Sequence, residues 1–389
     1  MKYYIIAGEA SGDLHGSNLM KGLFAEDPSA QVRFWGGPLM SSAHPDGDAP
    51  VTDYRDTAVM GYVEVLLKGF TISRNLRRCK ADILSWKPDV VILIDYPGFN
   101  FKVAKFAHKA GFKVFYYIAP KVWASREGRI RKLRRYVDRL FIVFPFEEPY
   151  FKSKGIPYIY KGNPLVDAVD TSPALVESRE DFLSRTGLPD KPSIALLAGS
   201  RNMEISSMMP VLMEFADRMH SRPEYSDWQF IVAAAPFRRE EDYAGYISGR
   251  DYVKLVFGQT YAVLRQSRAA VINSGTASLE AALIGTPQVV GYKVAPASYA
   301  IMKSLIKIRY ISLANLVIDR LAFRELVQDY LNPANLEFEI RRILEDEGYR
   351  RRMLEDYSQV RALLGGTGAS RAVAKAMIST LSAPPAAKM

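Results

Sequence analysis

The stretch Val90-Val-Ile-Leu-Ile-Asp-Tyr-Pro-Gly-Phe-Asn100 begins with five apolar residues and turns polar at Asp95. An apolar run without alternation indicates a strand covered on both faces, as in a parallel sheet. Similar runs recur along the chain between segments of helical length, which predicts sheets built from βαβ units. The predicted strands are Tyr3–Ala7, Val32–Trp35, Val90–Ile94, Lys113–Tyr117, Leu140–Val143, Tyr158–Tyr160, Ser193–Leu197, Gln229–Ala233, Val253–Val256, Ala270–Asn273 and Gln288–Gly291.

The series of strands pauses in the middle of the chain, between Asn163 and Pro192, where prolines are frequent. Such a break is typical of a domain boundary. We therefore expect two α/β lobes of the Rossmann type facing a cleft, formed by residues 1–168 and 169–365. Ligands of open α/β sheets bind beyond the carboxyl ends of the strands, so candidate site residues should directly follow predicted strands.

The composition is that of a globular, basic protein. The 389 residues carry a formal net charge of +10, and hydrophobic residues make up 48% of them. A basic protein favours anionic partners, namely nucleic acid, anionic lipid or phosphorylated metabolites. The positive charge is densest in Arg74–Lys80 and Arg126–Arg135. Each cluster is either a solvated helix face or a surface that binds anions.

The sequence indicates neither a signal peptide nor a membrane-spanning helix. The apolar run at the start is cut off by Glu9 and Asp13, and no stretch approaches the ~20 apolar residues that a spanning helix needs. The single cysteine, Cys79, excludes an internal disulfide. These features predict a cytoplasmic protein whose contact with a membrane is peripheral.

Two loops of the second lobe have residues suited to a nucleoside diphosphate. A predicted strand runs into Ser274-Gly-Thr-Ala-Ser-Leu-Glu280, where small residues at a helix start let backbone amides approach a phosphate. Glu280 lies one turn into that helix and could reach ribose hydroxyls. In Ala198-Gly-Ser-Arg201, the arginine could stabilise a departing diphosphate without a metal ion. The alternatives are a serine N-cap and a surface arginine.

The first lobe offers an acidic loop and a candidate base. Gly8-Glu-Ala-Ser-Gly-Asp-Leu-His-Gly16 is glycine-rich but lacks the G-x-G-x-x-G dinucleotide pattern. Its acidic residues would repel a pyrophosphate and could bind sugar hydroxyls, which favours a carbohydrate acceptor over NAD. Asp95 could deprotonate an attacking hydroxyl, or it could simply cap the next helix.

Apolar and basic residues interleave in Met60–Phe70, directly before the Arg74–Lys80 cluster. This segment is either buried core or an interfacial surface that docks on lipid. A metal site is not expected, because the four histidines are scattered. The D-x-D string Asp46-Gly-Asp48 lies in a proline-flanked loop.

Taken in order, these loops resemble the lipid A disaccharide synthase family, inverting glycosyltransferases of the GT-B type. The strings that carry the resemblance span nearly the whole chain: GEASGDLHG, FWGGPLM, MGYVEVL, PDVVILIDYPGFN, YYIAPKVWAS, FPFE, GNPLVD, AGSRNMEI, NSGTASLEAAL, YISLANLV and ELVQ. The resemblance implies transfer of 2,3-diacylglucosamine from UDP-2,3-diacylglucosamine to 2,3-diacylglucosamine 1-phosphate (lipid X). The products would be a β-1,6 disaccharide and UDP, with no cofactor.

The same resemblance implies roles for single residues. Asp95 is expected to be the catalytic base and Arg201 to handle the diphosphate. Gly98 stands where the family often has a second acidic residue, which makes Asp95 the clearer base. The expected UDP-binding residues are Gly199, Ser200, Arg201, Ser274, Gly275, Thr276, Ala277, Ser278, Glu280, Asn315 and Gln328. The expected acceptor-binding residues are Ser11, Gly12, Asp13 and His15.

The resemblance also has implications for the lobes and for the membrane. The first lobe, joined by a C-terminal helix of about residues 366–389 that crosses back to it, would bind the acceptor, and the second would bind the UDP-sugar. A peripheral position on the inner face of the inner membrane is expected, with anionic lipids as partners. A homodimer is possible. The expected membrane patch is Val63, Val65, Leu66, Phe70, Arg77 and Arg78.

Two other functions stay open on the sequence. A UDP-N-acetylglucosamine 2-epimerase on the same architecture would turn over a UDP-sugar without an acceptor. A basic nucleic-acid-binding protein would bind RNA or DNA in a salt-sensitive way, although the sequence has no recognised nucleic-acid-binding motif. We expect no nucleic-acid partner.

Overall fold

The computed structural model describes residues 1–57, 64–294, 299 and 308–383, and for residues 56, 57 and 64–70 it describes the backbone alone. Within these ranges the chain forms two compact units. The first contains Met1–Ala168 and the described residues from Leu364 onward, and the second contains Val169–Leu363. Each unit is built around one parallel sheet, which confirms the predicted α/β fold class.

The first unit contains a seven-stranded sheet. Its strands are β1 (Lys2–Ala7), β2 (Gln31–Gly36), β3 (Thr52–Asp53), β4 (Val90–Ile94), β5 (Lys113–Tyr117), β6 (Arg139–Ile142) and β7 (Tyr158–Tyr160). They pair in parallel in the order β3-β2-β1-β4-β5-β6-β7. The winding reverses between β1 and β4, and ligands of doubly wound sheets bind at this kind of switch point.

The second unit repeats this plan with six strands. They are β8 (Ser193–Leu197), β9 (Gln229–Ala234), β10 (Val253–Phe257), β11 (Ala269–Asn273), β12 (Gln288–Tyr292) and β13 (Glu325–Val327). Their order is β10-β9-β8-β11-β12-β13, again parallel throughout. The switch point of this sheet therefore lies between β8 and β11.

The described helices surround the two sheets. They are α1 (Ala10–Glu26), α2 (Pro38–Ala43), α3 (Tyr54–Thr57), α4 (Glu64–Trp86), α5 (Pro97–Lys109), α6 (Ile130–Tyr136), α7 (Glu147–Ser153), α8 (Pro164–Asp170), α9 (Arg179–Thr186), α10 (Asn202–His220), α11 (Glu241–Ile247), α12 (Thr260–Gln266), α13 (Thr276–Ile284), α14 (Leu313–Ile318), α15 (Pro333–Glu345), α16 (Glu347–Leu364) and α17 (Ala369–Ser382).

The eleven predicted strands all form; four have the predicted limits, and seven differ by one residue at one or both ends. The structure adds β3 and β13, which the sequence analysis missed. Neither has an apolar run: β3 is the dipeptide Thr52-Asp53, and β13 is Glu-Leu-Val at the edge of its sheet. Short edge strands lack the burial on both faces that makes a central strand visible in a sequence.

The C-terminal helix α17 packs on α1 within the first unit. Contact is close because Gly22 of α1 has no side chain; a Cβ there would lie 3.0 Å from Cβ of Ala374. The carboxylate of Asp167 accepts hydrogen bonds from the amides of Gly368 and Ser370, at 2.5 and 2.7 Å. Asp167 thus caps the start of α17 from a position about 200 residues earlier in the chain.

Candidate active site

Asp95 lies at the switch point of the first sheet, directly after β4. Asp95 and Tyr96 both adopt left-handed backbone conformations, with φ of 40° and 44°. Two such residues in succession store strain that the surroundings must hold. The carbonyl of Asp95 accepts hydrogen bonds from the Tyr116 hydroxyl (2.6 Å) and from Nδ2 of Asn100 (2.8 Å). These contacts fix the backbone that carries the carboxylate.

The carboxylate of Asp95 is largely buried and is influenced by both negative and positive side chains. Its pKa is raised to about 6, chiefly by burial and also by the charge of Glu9. The positive charges of Lys121 and Arg129 act in the opposite direction. A carboxylate with a pKa of about 6 is ionised at neutral pH and is a stronger base than an exposed aspartate. This position suits a general base.

The predicted acceptor loop forms the turn from β1 into α1 and the first turns of α1, and two of its polar side chains are buried. Asp13 is buried and accepts hydrogen bonds from the amides of Gly37 (2.7 Å) and Met40 (3.1 Å). It therefore holds the turn between β2 and α2, although burial raises its pKa. His15 is also buried, and burial lowers its pKa to about 4, so the ring is neutral at pH 7.

The remaining predicted acceptor residues differ in exposure. Gly12 is buried, and a Cβ there would lie 3.2 Å from Cβ of Ala7, so it permits close packing of α1 on β1. Ser11 is exposed. Of the four residues expected to bind the acceptor, only Ser11 presents an exposed side chain at the carboxyl end of the sheet.

The sequence analysis missed a role for Glu147. This buried carboxylate accepts hydrogen bonds from the amides of Val143 (3.1 Å) and Phe144 (3.0 Å) and from the Trp123 indole (3.0 Å). Burial raises its pKa to about 7. Glu147 thereby joins the loop after β5 to the loop after β6. The acidic pair Glu147-Glu148 after the apolar run Phe141–Phe146 was the available signal.

In the second unit, the loop after β11 leads into α13 at the second switch point. A Cβ on Gly275 would meet no atom of the described residues within 4 Å. The first amides of a helix have no partner inside the helix, and α13 begins at Thr276. The amide of Ser274 is engaged, since it donates to the carbonyl of Gly291 at 2.9 Å. Thr276 and Ala277 are partly exposed.

Ser278 and Glu280 face inward from α13. Ser278 is fully buried, and its hydroxyl donates to the carbonyl of Gly275 at 2.9 Å. It supports the turn from within. Glu280 is largely buried and accepts a hydrogen bond from the Tyr261 hydroxyl at 2.9 Å. Burial raises the pKa of Glu280. Tyr261, which the sequence analysis missed, fixes one carboxylate oxygen and leaves the other to a further donor.

The loop Gly199–Arg201 follows β8 on the other side of this switch point. Gly199 has a φ of 100°, and a Cβ there would lie 2.5 Å from Oε2 of Glu204 and 2.7 Å from Nδ2 of Asn273. Oε2 of Glu204 accepts the amides of Ser200 (2.9 Å) and Arg201 (3.1 Å). The exposed guanidinium of Arg201 forms an ion pair with Glu204 at 3.1 Å. A carboxylate of the chain itself therefore occupies these donors.

Arg238 holds the same loop through buried hydrogen bonds, and the sequence analysis did not identify it. It is 8% exposed, and its Nε donates to the carbonyl of Ser200 at 2.8 Å. It also donates to Oδ1 of Asn202 and lies 3.6 Å from Asp242. A buried arginine with this set of partners fixes the backbone of the loop.

Asn315 and Gln328 are engaged with neighbouring backbone. Asn315 is fully buried; its Nδ2 donates to Glu325 at 2.8 Å, and its Oδ1 accepts the amide of Ala322 at 2.9 Å. Gln328 makes two hydrogen bonds to the backbone of Val294, at 2.8 and 3.0 Å. Gln328 thus joins the segments that follow β12 and β13 at the carboxyl end of the sheet, whereas Asn315 holds the residues that lead into β13.

The predicted membrane patch is only partly within the described structure. Val63 lies outside the described residues, and the side chains of Val65, Leu66 and Phe70 are likewise not described. Arg77 and Arg78 are exposed on α4, and Arg78 donates to the carbonyl of Val51 at 2.7 Å. No helix in the described ranges is long and apolar enough to cross a membrane. Those ranges also contain no cluster of histidine, cysteine or carboxylate side chains that could hold a metal ion.

Comparisons with known proteins relate the chain to one family. The family model described as lipid-A-disaccharide synthetase matches residues 3–377. The lipid-A-disaccharide synthase of Geobacter metallireducens is 40% identical over 380 residues, covering 97% of this chain and 96% of that protein. The enzyme of the same name from Trichlorobacter lovleyi is 36% identical over 377 residues, covering 96% of each.

A solved structure of lower identity shares the fold. The UDP-GlcNAc 2-epimerase of Neisseria meningitidis, in a structure bound to UDP-GlcNAc, superposes with a TM-score of 0.68. The superposition covers 97% of this chain and all of that one, at 14% sequence identity. At this identity the likeness concerns the architecture alone.

Proposed function

The chain belongs to the lipid-A-disaccharide synthase family, and on that premise we propose that Asp95 is the catalytic base of its glycosyl transfer. The protein is a glycosyltransferase of lipid A biosynthesis. The donor is UDP-2,3-diacylglucosamine, and the acceptor is 2,3-diacylglucosamine 1-phosphate. The observation that carries the assignment is a carboxylate with a raised pKa, held on strained backbone at a switch point.

The proposed reaction is a single displacement. The 6-hydroxyl of the acceptor attacks the anomeric carbon of the donor while Asp95 accepts the hydroxyl proton. The bond from that carbon to the diphosphate oxygen breaks, and UDP leaves with the bonding electrons. Attack on the face opposite the leaving group inverts the configuration, which gives the β-1,6 disaccharide from an α-linked donor.

The loops of the second unit are assigned to the UDP moiety. The amides at the start of α13 and the guanidinium of Arg201 would receive the negative charge of the leaving diphosphate, without a metal ion. For Arg201 this requires exchanging Glu204, its ion-pair partner at 3.1 Å, for the diphosphate. Glu280 is assigned to the ribose hydroxyls through the carboxylate oxygen that Tyr261 does not hold.

Internal contacts refine the roles of the other expected UDP-binding residues. Asn315 and Gln328 use their amides to hold backbone, and the Ser278 hydroxyl donates to the Gly275 carbonyl before α13. We assign these three residues to shaping the loops, and the direct contacts to Ser274–Ala277 and Arg201. On the acceptor side, Ser11 is assigned a direct contact, whereas Gly12, Asp13 and His15 shape the turn.

A peripheral position on the inner face of the inner membrane is part of the proposal. Both substrates carry acyl chains, and the chain is basic, with a formal net charge of +10. Positive residues near an anionic leaflet contribute about 1 kcal/mol each to membrane binding. Arg77 and Arg78 on α4, next to the apolar segment 60–70, are the assigned contact.

The function is tested with a radiolabelled lipid acceptor and the UDP-diacylglucosamine donor, omitting each substrate in turn. The expected result is a labelled disaccharide and UDP only when both are present. Turnover of the UDP-sugar without an acceptor would instead indicate the epimerase reaction. Activity that is lost with EDTA and returns with magnesium or manganese would contradict the metal-independent mechanism.

The base is tested with Asp95→Asn, which keeps the size and polarity of the side chain. Turnover should fall by two or more orders of magnitude, in keeping with loss of a general base. The KM for the donor should change little, since the UDP loops are untouched. A folded Asp95→Asn variant with normal turnover would refute the assignment.

A further inference from the structure

The segment from Lys121 to Arg135 concentrates positive charge in the first unit. Glu127 is the only acidic residue in this segment, and it forms an ion pair with Lys154 at 2.5 Å. In the described part of the chain, neither Arg126 nor Arg129 has a carboxylate within ion-pair distance. The basic residues of the segment are Lys121, Arg126, Arg129, Arg131, Lys132, Arg134 and Arg135.

The first part of this segment lies at the same edge of the sheet as Asp95. Strands β4 and β5 are parallel neighbours, with Ile94 opposite Tyr117, so the residues that follow them meet at one edge. Lys121 is in the loop after β5, and a 3-10 turn, Glu127–Arg129, leads from that loop into α6. Helices that connect parallel strands run back toward the amino edge. Arg126 and Arg129 therefore begin at the edge that carries the catalytic base.

The guanidinium of Arg129 lies close to both Asp95 and Arg126. The Arg129 guanidinium carbon is 5.9 Å from the centre of the Phe101 ring, and that ring packs on Tyr116 at 5.6 Å. Tyr116 in turn donates its hydroxyl to the carbonyl of Asp95. The pKa of Arg129 is lowered by burial and then by the charge of Arg126, whereas Asp95 raises it. Arg129 thus lies near the base and within the electrostatic influence of Arg126.

The loop that carries Lys121 is held at two points. The carbonyl of Val122 accepts the hydroxyl of Tyr150 at 3.2 Å, and the Trp123 indole donates to buried Glu147. Lys121 itself is exposed, and among the charged groups its charge lowers the pKa of Asp95 most. The amino group is therefore presented on an anchored loop beside the carboxylate.

We infer that Lys121, Arg126 and Arg129 bind the phosphate group of the acceptor. The inference rests on the proposed function, in which the acceptor is a sugar 1-phosphate. A phosphate that approaches Asp95 and Glu9 meets two carboxylates that repel it, so cations must compensate. The 6-hydroxyl and the 1-phosphate of the acceptor are about one sugar ring apart. A base for the hydroxyl and cations for the phosphate must therefore lie near each other, as Asp95 and this cluster do at one edge of one sheet. Guanidiniums bind phosphate oxygens in bidentate fashion.

The site is tested by comparing two acceptors, 2,3-diacylglucosamine 1-phosphate and the same sugar without phosphate. The variants Arg126→Gln, Arg129→Gln and their combination remove charge, and kcat/KM for each acceptor is measured at saturating donor. Arg126 has a φ of 56°, and glutamine is strained there to the same degree as arginine. Each single change should lower kcat/KM for the phosphorylated acceptor roughly tenfold to a hundredfold. Measured well above the pKa of Asp95, where loss of the Arg129 charge leaves the base ionised, the values for the acceptor without phosphate should stay within about twofold of the native ones.

Two further variants separate charge from structure. Arg129→Lys keeps the positive charge and should recover part of the loss. Arg135→Gln removes an exposed arginine at the far end of α6, where it lies 5.7 Å from the Tyr136 ring centre, and should leave both acceptors unaffected. Thermal unfolding of each variant checks that the unit remains folded.

The outcomes distinguish this inference from the proposed function. An equal loss with both acceptors, or no loss with the phosphorylated one, would overturn the phosphate site while leaving the transfer reaction intact. If the native protein forms no disaccharide from either acceptor, the proposed function itself fails. Binding of glucosamine 1-phosphate to the native protein, weakened in Arg126→Gln and Arg129→Gln, would support the site without any turnover.

Discussion

Gly8 and Tyr96 bring the two loops of the first switch point into direct contact. A Cβ on Gly8 would lie 2.3 Å from Cδ1 of the Tyr96 ring, well inside van der Waals contact. Tyr96 adopts this position with a left-handed backbone, directly after Asp95. The absence of a side chain at position 8 therefore allows the ring to fill the turn, and the ring helps to hold the strained backbone of the base.

Gly8→Ala should displace the Tyr96 ring and with it Asp95. We expect the free energy of unfolding to fall by about 1–3 kcal/mol, as for other overpacked sites, and turnover to fall as well. Urea unfolding and steady-state kinetics measure the two effects. Gly98→Ala is the matched control, because a Cβ there would meet no atom of the described residues within 4 Å. Unchanged activity in Gly8→Ala would mean that the ring contact does not position the base.

The pH profile should report the surroundings of Asp95. Burial raises the pKa of this carboxyl to about 6, so kcat/KM should decline as the pH falls through about 6 and the base becomes protonated. The Glu9 charge also raises this pKa. Glu9→Gln should therefore shift the acidic limb to lower pH by a few tenths of a unit, whereas Asp46→Asn, in a distant exposed loop, should not shift it. A shift to higher pH in Glu9→Gln would exclude Asp95 as the titrating group.

Much of this fold was predictable from the sequence because its central strands are buried on both faces. Runs such as Val90–Ile94 have no polar residue to alternate with, and the polar residue that ends each run marks the carboxyl edge of the sheet. The rule that site residues follow the carboxyl ends of buried strands therefore located Asp95, Arg201 and the turn at Ser274. The same rule failed for β3, where Thr52-Asp53 pairs with the end of β2 without any apolar signal.

The contacts that could not be predicted are those that join distant segments. Glu147 holds Trp123, Arg238 holds Ser200, and Tyr261 holds Glu280. In a sequence each of these residues is an isolated polar position, and only the fold determines which loop it reaches. For the same reason the sequence did not indicate that Asp13 and His15, which we predicted to bind the acceptor, are buried at the start of α1.

Membrane docking should depend on the charge of α4. Arg77→Glu combined with Arg78→Glu reverses two exposed charges and should weaken binding to vesicles that contain anionic lipid by more than tenfold, at about 1 kcal/mol per charge. Co-sedimentation at low and at physiological salt measures the change. Arg351→Glu, an exposed charge in the second unit, is the control. Binding unchanged by the double reversal would refute the proposed contact. Arg78 also donates to the carbonyl of Val51, so its replacement could alter the structure. Arg77→Glu alone avoids this change and should show a smaller effect in the same direction.

Arg238 should control use of the donor although it is assigned no contact with UDP. Its guanidinium donates to the carbonyl of Ser200 and to Asn202, and it is buried. Arg238→Gln removes these donors, so the Gly199–Arg201 backbone should loosen and the KM for the UDP-sugar should rise about tenfold. The KM for the acceptor should be unaffected, because the residues assigned to it belong to the first unit.

The matched control for this change is Arg239→Gln, at the neighbouring position, where the side chain is exposed. Urea unfolding separates two causes of weaker donor binding, namely a loosened Gly199–Arg201 loop and a general loss of stability. Removing a buried hydrogen-bonding group costs about 1–3 kcal/mol, so Arg238→Gln should unfold at lower urea whatever the loop does. If its donor KM nevertheless equals that of Arg239→Gln, then the loop after β8 does not bind the diphosphate, and Arg201 loses its assigned role.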